Sequence, residues 1–238
     1  MDSYPVVTLA ARGAGGMNRL YFAAKAPVPG EVKTRLGTSI GMAPAATLYS
    51  AFLLDIVERF MNAPFEVAWH VTPGSWPHLE PLVGRTNMIR TQRGVTWAER
   101  QTYLFKECHA DDEERVVLAA TDSPQLTVSS VEAAFAALDT HDAVFGPTPD
   151  GGYYLVGMRG FHDILANAPM SAVSTLDQVL RRARLHGLSV ALLQPEFDVD
   201  VAADLGRLAQ EARRRPDLAH TAAALRVIHI SGEERRIA

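Results

Sequence analysis

The stretch Leu20-Tyr-Phe-Ala-Ala-Lys-Ala-Pro-Val-Pro-Gly-Glu-Val-Lys-Thr-Arg-Leu36 opens with an apolar run, Leu20 to Ala24. It then passes into a Pro/Gly-rich loop carrying two lysines and an arginine. The run reads as a strand, and the prolines can neither extend it nor start a helix early. Gly30 lets the backbone come close to a ligand, and Lys25, Lys33 and Arg35 supply positive charge of the kind that holds phosphate. No Gly-Lys-Ser/Thr closes the loop in the Walker manner, and no Gly-x-Gly-x-x-Gly turn is present. Taken alone, the loop is equally readable as an ordinary solvated surface segment, so the rest of the chain decides.

Working outward, strand-like runs recur at Phe65–Val71, Val116–Ala120, Ala143–Gly146, Tyr153–Met158 and Ser189–Leu193. Helical patterns lie between most of them. Ala45–Met61 has Leu48, Phe52, Ile56 and Phe60 every four residues, a single apolar stripe. Trp97–Cys108, Val131–Leu138 and Ala202–Arg214 follow. Ser174 to Asp177 fits a loose capping box, with Gly187 closing that helix. Alternation of strand and helix predicts an α/β fold: a mostly parallel, doubly wound sheet with helices on both faces, which the resemblance described below makes Rossmann-like. The segment between Gly146 and Tyr153 is too short for a parallel crossover, so an antiparallel insertion is expected there. Residues 1–17 read as a loose N-terminal extension, 18–228 as one domain and 229–238 as a C-terminal tail.

The 238 residues are 47% hydrophobic and 21% charged, which suits a globular domain. A formal charge of −4 argues against a groove for a nucleic-acid polymer, since such grooves carry a basic surplus. No run is apolar enough for a membrane span. Cys108 is the single cysteine, so no internal disulfide forms and a reducing cytoplasm is the expected compartment. The scattered histidines have no zinc-like spacing, and there is no Gly-x-Ser-x-Gly elbow.

Ligands in such sheets sit beyond the carboxyl ends of the strands, which directs attention to three loops. Asp122, in Thr121-Asp-Ser-Pro124, follows a buried-looking strand and is well placed for a hard cation, which takes one or two carboxylates plus phosphate oxygens. Asp198 and Asp200 follow the last core strand. Standing two residues apart in extended backbone, they are expected to point to opposite faces, so that one of them faces the metal. Asp200 also sits where a helix N-cap belongs. In Gly146-Pro-Thr-Pro-Asp-Gly-Gly-Tyr-Tyr154, Asp150 is expected to bind a sugar hydroxyl or act as a base. Tyr153 and Tyr154 are expected to wall the pocket.

These four segments, in this order, resemble a bacterial family of GT-A-type glycosyltransferases associated with radical-SAM and selenodomain proteins, within the nucleotide-diphospho-sugar transferase superfamily. More distantly the chain is similar to 2-phospholactate guanylyltransferases, whose Lys-Ser-Arg-Leu resembles Lys33 to Leu36. The resemblance implies a GT-A fold, a nucleotide lying over Lys25, Pro27, Gly30, Lys33 and Arg35, and Mg²⁺ or Mn²⁺ held by Asp122 and Asp200, with Asp198 as a further candidate. Lys33 and Asp150 become the expected catalytic groups, and Gly151, Gly152, Tyr153, Ser174 and Thr175 the expected substrate contacts. The chain departs from the family at Thr121, where Gly is common, and at Val173, where an aromatic often stands. The implied activity is transfer from a nucleotide-activated donor to a small-molecule acceptor. Glycosyl transfer is the first reading, and nucleotidyl transfer to a phosphorylated acceptor the alternative. A non-catalytic binding module is the third.

Overall fold

Alternate residues of the first strand face opposite layers, and this arranges the whole molecule. In the computed structural model, which describes residues 18–85, 88–170 and 173–237 (side chains to 228), β1 spans Asn18–Ala24. Leu20 and Phe22 join one buried cluster and Tyr21 the other. The first cluster is filled by α2 (Met42–Phe60), whose Leu48, Phe52 and Ile56 are fully buried, and Phe22 meets Phe60 edge-on at 5.0 Å. Leu104, Phe105 and Cys108 of α4 (Trp97–Ala110) lie against Tyr21 in the second. Helices on both faces follow from this two-sided burial.

The sheet holds seven strands in the order β3-β2-β1-β4-β6-β5-β7. The remaining strands are β2 (Glu66–Val71), β3 (Ile89–Thr91), β4 (Arg115–Ala120), β5 (Ala143–Pro147), β6 (Tyr153–Arg159) and β7 (Val190–Leu192). Strand β1 runs parallel to β2 and β4, whereas β6 is antiparallel to both β4 and β5. The reversed strand is thus the short connection expected after Gly146. Chain order proceeds from β1 outward to β2 and β3, then returns to β4 on the other side of β1. The topological switch point therefore lies at the carboxyl ends of β1 and β4.

Several elements escape the sequence patterns: β3, α1 (Thr34–Ile40), α3 (Trp76–Val83) and α8 (Ala219–Ile237). The segment 229–238, read as a tail, continues α8 as far as Ile237. Residues 1–17 lie outside the described residues. The capping box expected at Ser174 does not form on α6 (Thr175–Leu185): Ser174 makes no side-chain cap bond, and Oγ instead accepts from Gln178 Nε2 at 3.0 Å. A true capping box joins Thr96 and Glu99 at the start of α4.

His70 of β2 is 1% exposed, and its Nδ1 has no partner. Burial above all, with Arg100 and Arg90 adding repulsion, lowers its pKa from 6.5 to about 4. The folded state consequently binds fewer protons than the unfolded chain between these values, and stability falls as pH drops through that window. The full loss is about 3 kcal/mol. Acid melting curves should show this slope in the wild type, and a His70→Gln variant should flatten it. An unchanged slope in the variant would take His70 out of the account.

Candidate functional site at the switch point

The loop after β1 is folded onto itself by short-range bonds. Val28 N donates to Ala26 O at 2.8 Å and Glu31 N to Val28 O at 3.0 Å. Gly30 has φ +83°, so glycine is needed for the turn, but nothing stands within 4 Å of where its Cβ would be. Its backbone conformation requires glycine, and the space beside its Cα is open. Lys25 turns back to its own loop, with Nζ 3.0 Å from Glu31 O and 3.7 Å from the Glu31 carboxylate. Ala26 N donates to Ser75 Oγ at 2.9 Å, tying the loop to the start of α3.

A hydrogen-bond relay fixes this loop to the end of β4. Lys25 N donates to the Tyr49 hydroxyl at 3.3 Å. That hydroxyl lies 2.8 Å from Thr121 Oγ1, which donates to Ala23 O at 2.8 Å. Thr121 has one proton to give, so Tyr49 is the donor between the two hydroxyls. Threonine where the family resemblance expects glycine thus joins the two strand ends. Sequence reasoning missed Tyr49, which lies beside the apolar stripe of α2.

The loop ends at Lys33, a non-glycine residue at φ 47°, ψ 39° that caps α1. This left-handed conformation turns its side chain inward, where it is 3% exposed. Lys33 Nζ is 2.6 Å from Asp122 Oδ1 and 3.5 Å from Asp200 Oδ1, and it donates to Val199 O at 2.7 Å. Arg35 Nη1 lies 3.2 Å from Asp200 Oδ2. Val199 N donates to Asp122 O at 3.0 Å, so the two acidic segments are also joined through the backbone. Three loops remote in sequence therefore meet around one ammonium.

Asp200 does not cap a helix. Asp204 instead reaches back to the segment before the helix, its Oδ2 accepting from Asp200 N and Val201 N at 2.8 Å each. This leaves the Asp200 carboxylate for Lys33 and Arg35. The opposite-face expectation for Asp198 and Asp200 is also overturned. Both line one cavity, of about 270 Å³, together with Arg35, Asp150 and Arg207. Side chains alternate along an extended segment, so residues two apart share a face. Burial first, then the charges of Asp200 and Asp150, raises the Asp198 pKa from 3.8 to about 6.

Asp150 caps its own turn: its Oδ1 accepts from Thr148 Oγ1 and from Gly152 N, the latter at 3.2 Å. Gly151 (φ +87°) has no room for a side chain, since a Cβ would fall 1.9 Å from Val173 O. Gly151 O in turn accepts from Leu176 N at 2.9 Å, bonding the hairpin tip to the start of α6. We expect Gly151→Ala to displace the hairpin tip and with it Asp150, costing about 1–3 kcal/mol of stability. A melting temperature within a degree of wild type would contradict the packing described.

The other expected substrate contacts do not reach the cavity. Tyr153 packs edge-on against Phe145 at 5.2 Å and its hydroxyl donates to Gln101 Oε1 at 3.1 Å. Tyr154 covers Gly146 and donates to Gln194 O at 3.2 Å. Thr175 is 3% exposed, with Oγ1 donating to Pro169 O at 2.6 Å. Ser174 holds Gln178, as above. The ring faces of both tyrosines are spent on packing, so the wall they were expected to form is built instead by Pro149, Phe197 and Arg207.

For a divalent cation, the donor set is Asp122 and Asp200, which both contact one cation, Lys33. Among the described residues no group of three acidic, histidine or cysteine side chains is arranged to hold a metal. Two carboxylates nevertheless match Mg²⁺, which keeps waters and takes phosphate oxygens for the rest.

Residues 56–172 match a family described as uncharacterized proteins conserved in bacteria, DUF2064. A 3-phospho-D-glycerate guanylyltransferase from Phenylobacterium zucineum (strain HLK1) is 30% identical over 189 residues, 71% of this chain and 84% of that protein. A crystal structure described as a nucleotide-diphospho-sugar transferase from Desulfovibrio desulfuricans G20 has a TM-score of 0.78 and 28% identity, covering 89% of this chain and 97% of that one. A nucleotidyl transferase from Methanothermobacter thermautotroptrophicus shares the fold, with a TM-score of 0.57 and 16% identity over 84% of this chain and 99% of its own. The chain belongs to the family of the 3-phospho-D-glycerate guanylyltransferases.

Proposed function

We propose that this protein is a metal-dependent transferase that moves a nucleotidyl group from a nucleoside triphosphate to a phosphorylated small acceptor in a reducing, cytoplasmic compartment. The observation that carries the reading is the meeting of Lys33, Asp122 and Asp200 at the switch point of the sheet. The guanylyltransferase relative supports nucleotidyl transfer in particular. In this reading the nucleotide lies over the β1 loop. Asp122 and Asp200 would hold Mg²⁺ or Mn²⁺, which when bound neutralises charge on the phosphates. Lys33 and Arg35 stabilise the negative charge that grows on departing pyrophosphate, at fixed positions that need no reorganisation. Asp150 and Asp198 face the acceptor side of the same cavity.

Glycosyl transfer from a nucleotide-sugar is the second reading, favoured by the relative from Desulfovibrio. A thermal-shift panel of triphosphates and nucleotide-sugars, each with and without Mn²⁺, separates the two, because a ligand of the native state raises its melting temperature. Nucleotidyl transfer requires stabilisation by a triphosphate over the matching nucleotide-sugar. The reverse preference would favour glycosyl transfer, and no response from any ligand with metal present would leave a non-catalytic binding module.

A further inference from the structure

The loop that carries Asp122 is gripped by two arginines before it enters α5 (Val128–Ala137). Arg59 Nη1, on α2, donates to Pro124 O at 2.6 Å and to Leu126 O at 2.9 Å. Arg215, just past α7 (Leu205–Arg214), donates to the carbonyl between them, Gln125 O. Asp217 aligns both cations: its Oδ2 lies 2.5 Å from Arg59 Nε and 2.5 Å from Arg215 Nη2, and its Oδ1 accepts from Arg215 Nε at 3.1 Å. Hydrogen bonds from Arg215 and then Arg59 hold the Asp217 carboxyl below the usual carboxylate range, so the clamp keeps its charge in mild acid. Between the clamped carbonyls the Gln125 side chain is 3% exposed. Its Nε2 donates to Phe197 O and lies 3.4 Å from the Glu196 carboxylate. Both partners are acceptors, so only the NH₂ of the amide can face them. Its Oε1 is buried with no hydrogen-bond partner among the described residues. An orphaned buried acceptor weakens a fold, so this glutamine calls for a purpose besides stability.

We propose that Gln125 is a positioning residue for the transfer, fixing the register of the segment that carries Asp198 and Asp200 against the loop that carries Asp122. The inference rests on the nucleotidyl-transfer reading and adds to it how the carboxylates are held at their spacing. Two ties join the segments: Val199 N donates to Asp122 O at 3.0 Å, and Gln125 Nε2 to Phe197 O. They fall on residues two apart, so Phe197 and Val199 are both buried while Asp198 and Asp200 line the cavity. A slip of one residue would bury the carboxylates and expose the apolar pair. The Val199 tie alone would act as a pivot, and the tie at Phe197 stops the rotation. Lys33 also holds Val199 O, so the ammonium between Asp122 and Asp200 depends on the same register. Gln125 does not line the cavity and carries no charge. The balance of Asp122, Asp150, Asp198, Asp200 and Asp204 against Lys33, Arg35 and Arg207 is therefore untouched by its removal.

The test is Gln125→Met, which keeps the length of the side chain and removes the amide. Calorimetric titrations use GTP, as the probe for a nucleoside triphosphate, with and without Mn²⁺. The wild type should bind GTP more tightly when Mn²⁺ is present. In the variant that strengthening should shrink by about tenfold, the lower end of what partners behind metal ligands contribute. GTP without metal should bind both chains equally. The melting temperature of the variant should stay within about 4 °C of wild type, because the orphaned Oε1 leaves together with the amide donor. Raising the Mn²⁺ concentration should restore pyrophosphate release by the variant, a recovery that a loosened fold would not give. Undiminished strengthening by Mn²⁺ in Gln125→Met would overturn the proposal. So would equal weakening with and without Mn²⁺, or loss of a cooperative melt, either of which would make Gln125 a structural tie. A wild type whose GTP binding ignores Mn²⁺ would remove the transfer reading itself, and the role of Gln125 with it.

Discussion

Lys33→Met is expected to lower transfer by about 10²–10³-fold, the usual cost of one preorganised group that stabilises developing charge, while the protein remains folded. Methionine fits the volume of the buried lysine stem but removes the ammonium, so Asp122 and Asp200 lose the cation that now joins them. Both carboxylates are 41% exposed, and water can take over much of their solvation, so the chain survives the change. Its melting temperature should fall by a few degrees and recover when Mn²⁺ is added, because a divalent ion can replace the missing charge. Turnover measured by pyrophosphate release, alongside thermal melts, reads both effects. Activity within threefold of wild type would mean that Lys33 is a structural tie only.

Asp55→Ala is expected to destabilise the fold by about 4 kcal/mol, the cost of leaving two buried N–H groups unpaired. Asp55 of α2 is 1% exposed, and its two oxygens accept from His220 N and Thr221 N at 2.9 Å each. It therefore caps the first turn of α8 from a neighbouring helix, in place of a local cap residue. Two helices flanking the sheet depend on this one side chain. Asp55→Asn keeps one acceptor and should lose less. Chemical denaturation measures the difference directly, and a loss below about 1 kcal/mol would show that water satisfies those amides.

The sheet was legible in the sequence because its inner strands are buried on both faces and read as unbroken apolar runs. That holds for Leu20–Ala24 and Val116–Ala120 alike. The missing elements lacked such a signal. Strand β3 has three residues, none of them buried. Helix α3 contains Pro77 and Pro81 and buries only Leu79. Helix α1 is seven residues long and begins at a left-handed lysine, which no propensity rule anticipates.

The candidate site was legible in the same measure. Asp122, Lys33 and Asp200 each lie just past a core strand or at the loop leading away from one, and the switch-point rule gathers such ends. An aromatic or hydroxyl beside a turn can face either side of the hairpin, and for Tyr153 and Thr175 the packing against Phe145 and the bond to Pro169 O decide which. Tyr49 and Arg207 carried no motif. Each enters the site through the way its helix packs, a tertiary fact with no local trace.

The most direct test of the account is calorimetric titration of GTP into the wild-type chain and into Asp122→Asn, with and without Mn²⁺. The account predicts that Mn²⁺ strengthens binding of a nucleoside triphosphate, for which GTP is the probe, to the wild type and that this strengthening vanishes in the variant, whose melting curve stays cooperative. Metal-dependent binding that persists undiminished in Asp122→Asn would contradict it and move the site away from the carboxyl ends of β1 and β4.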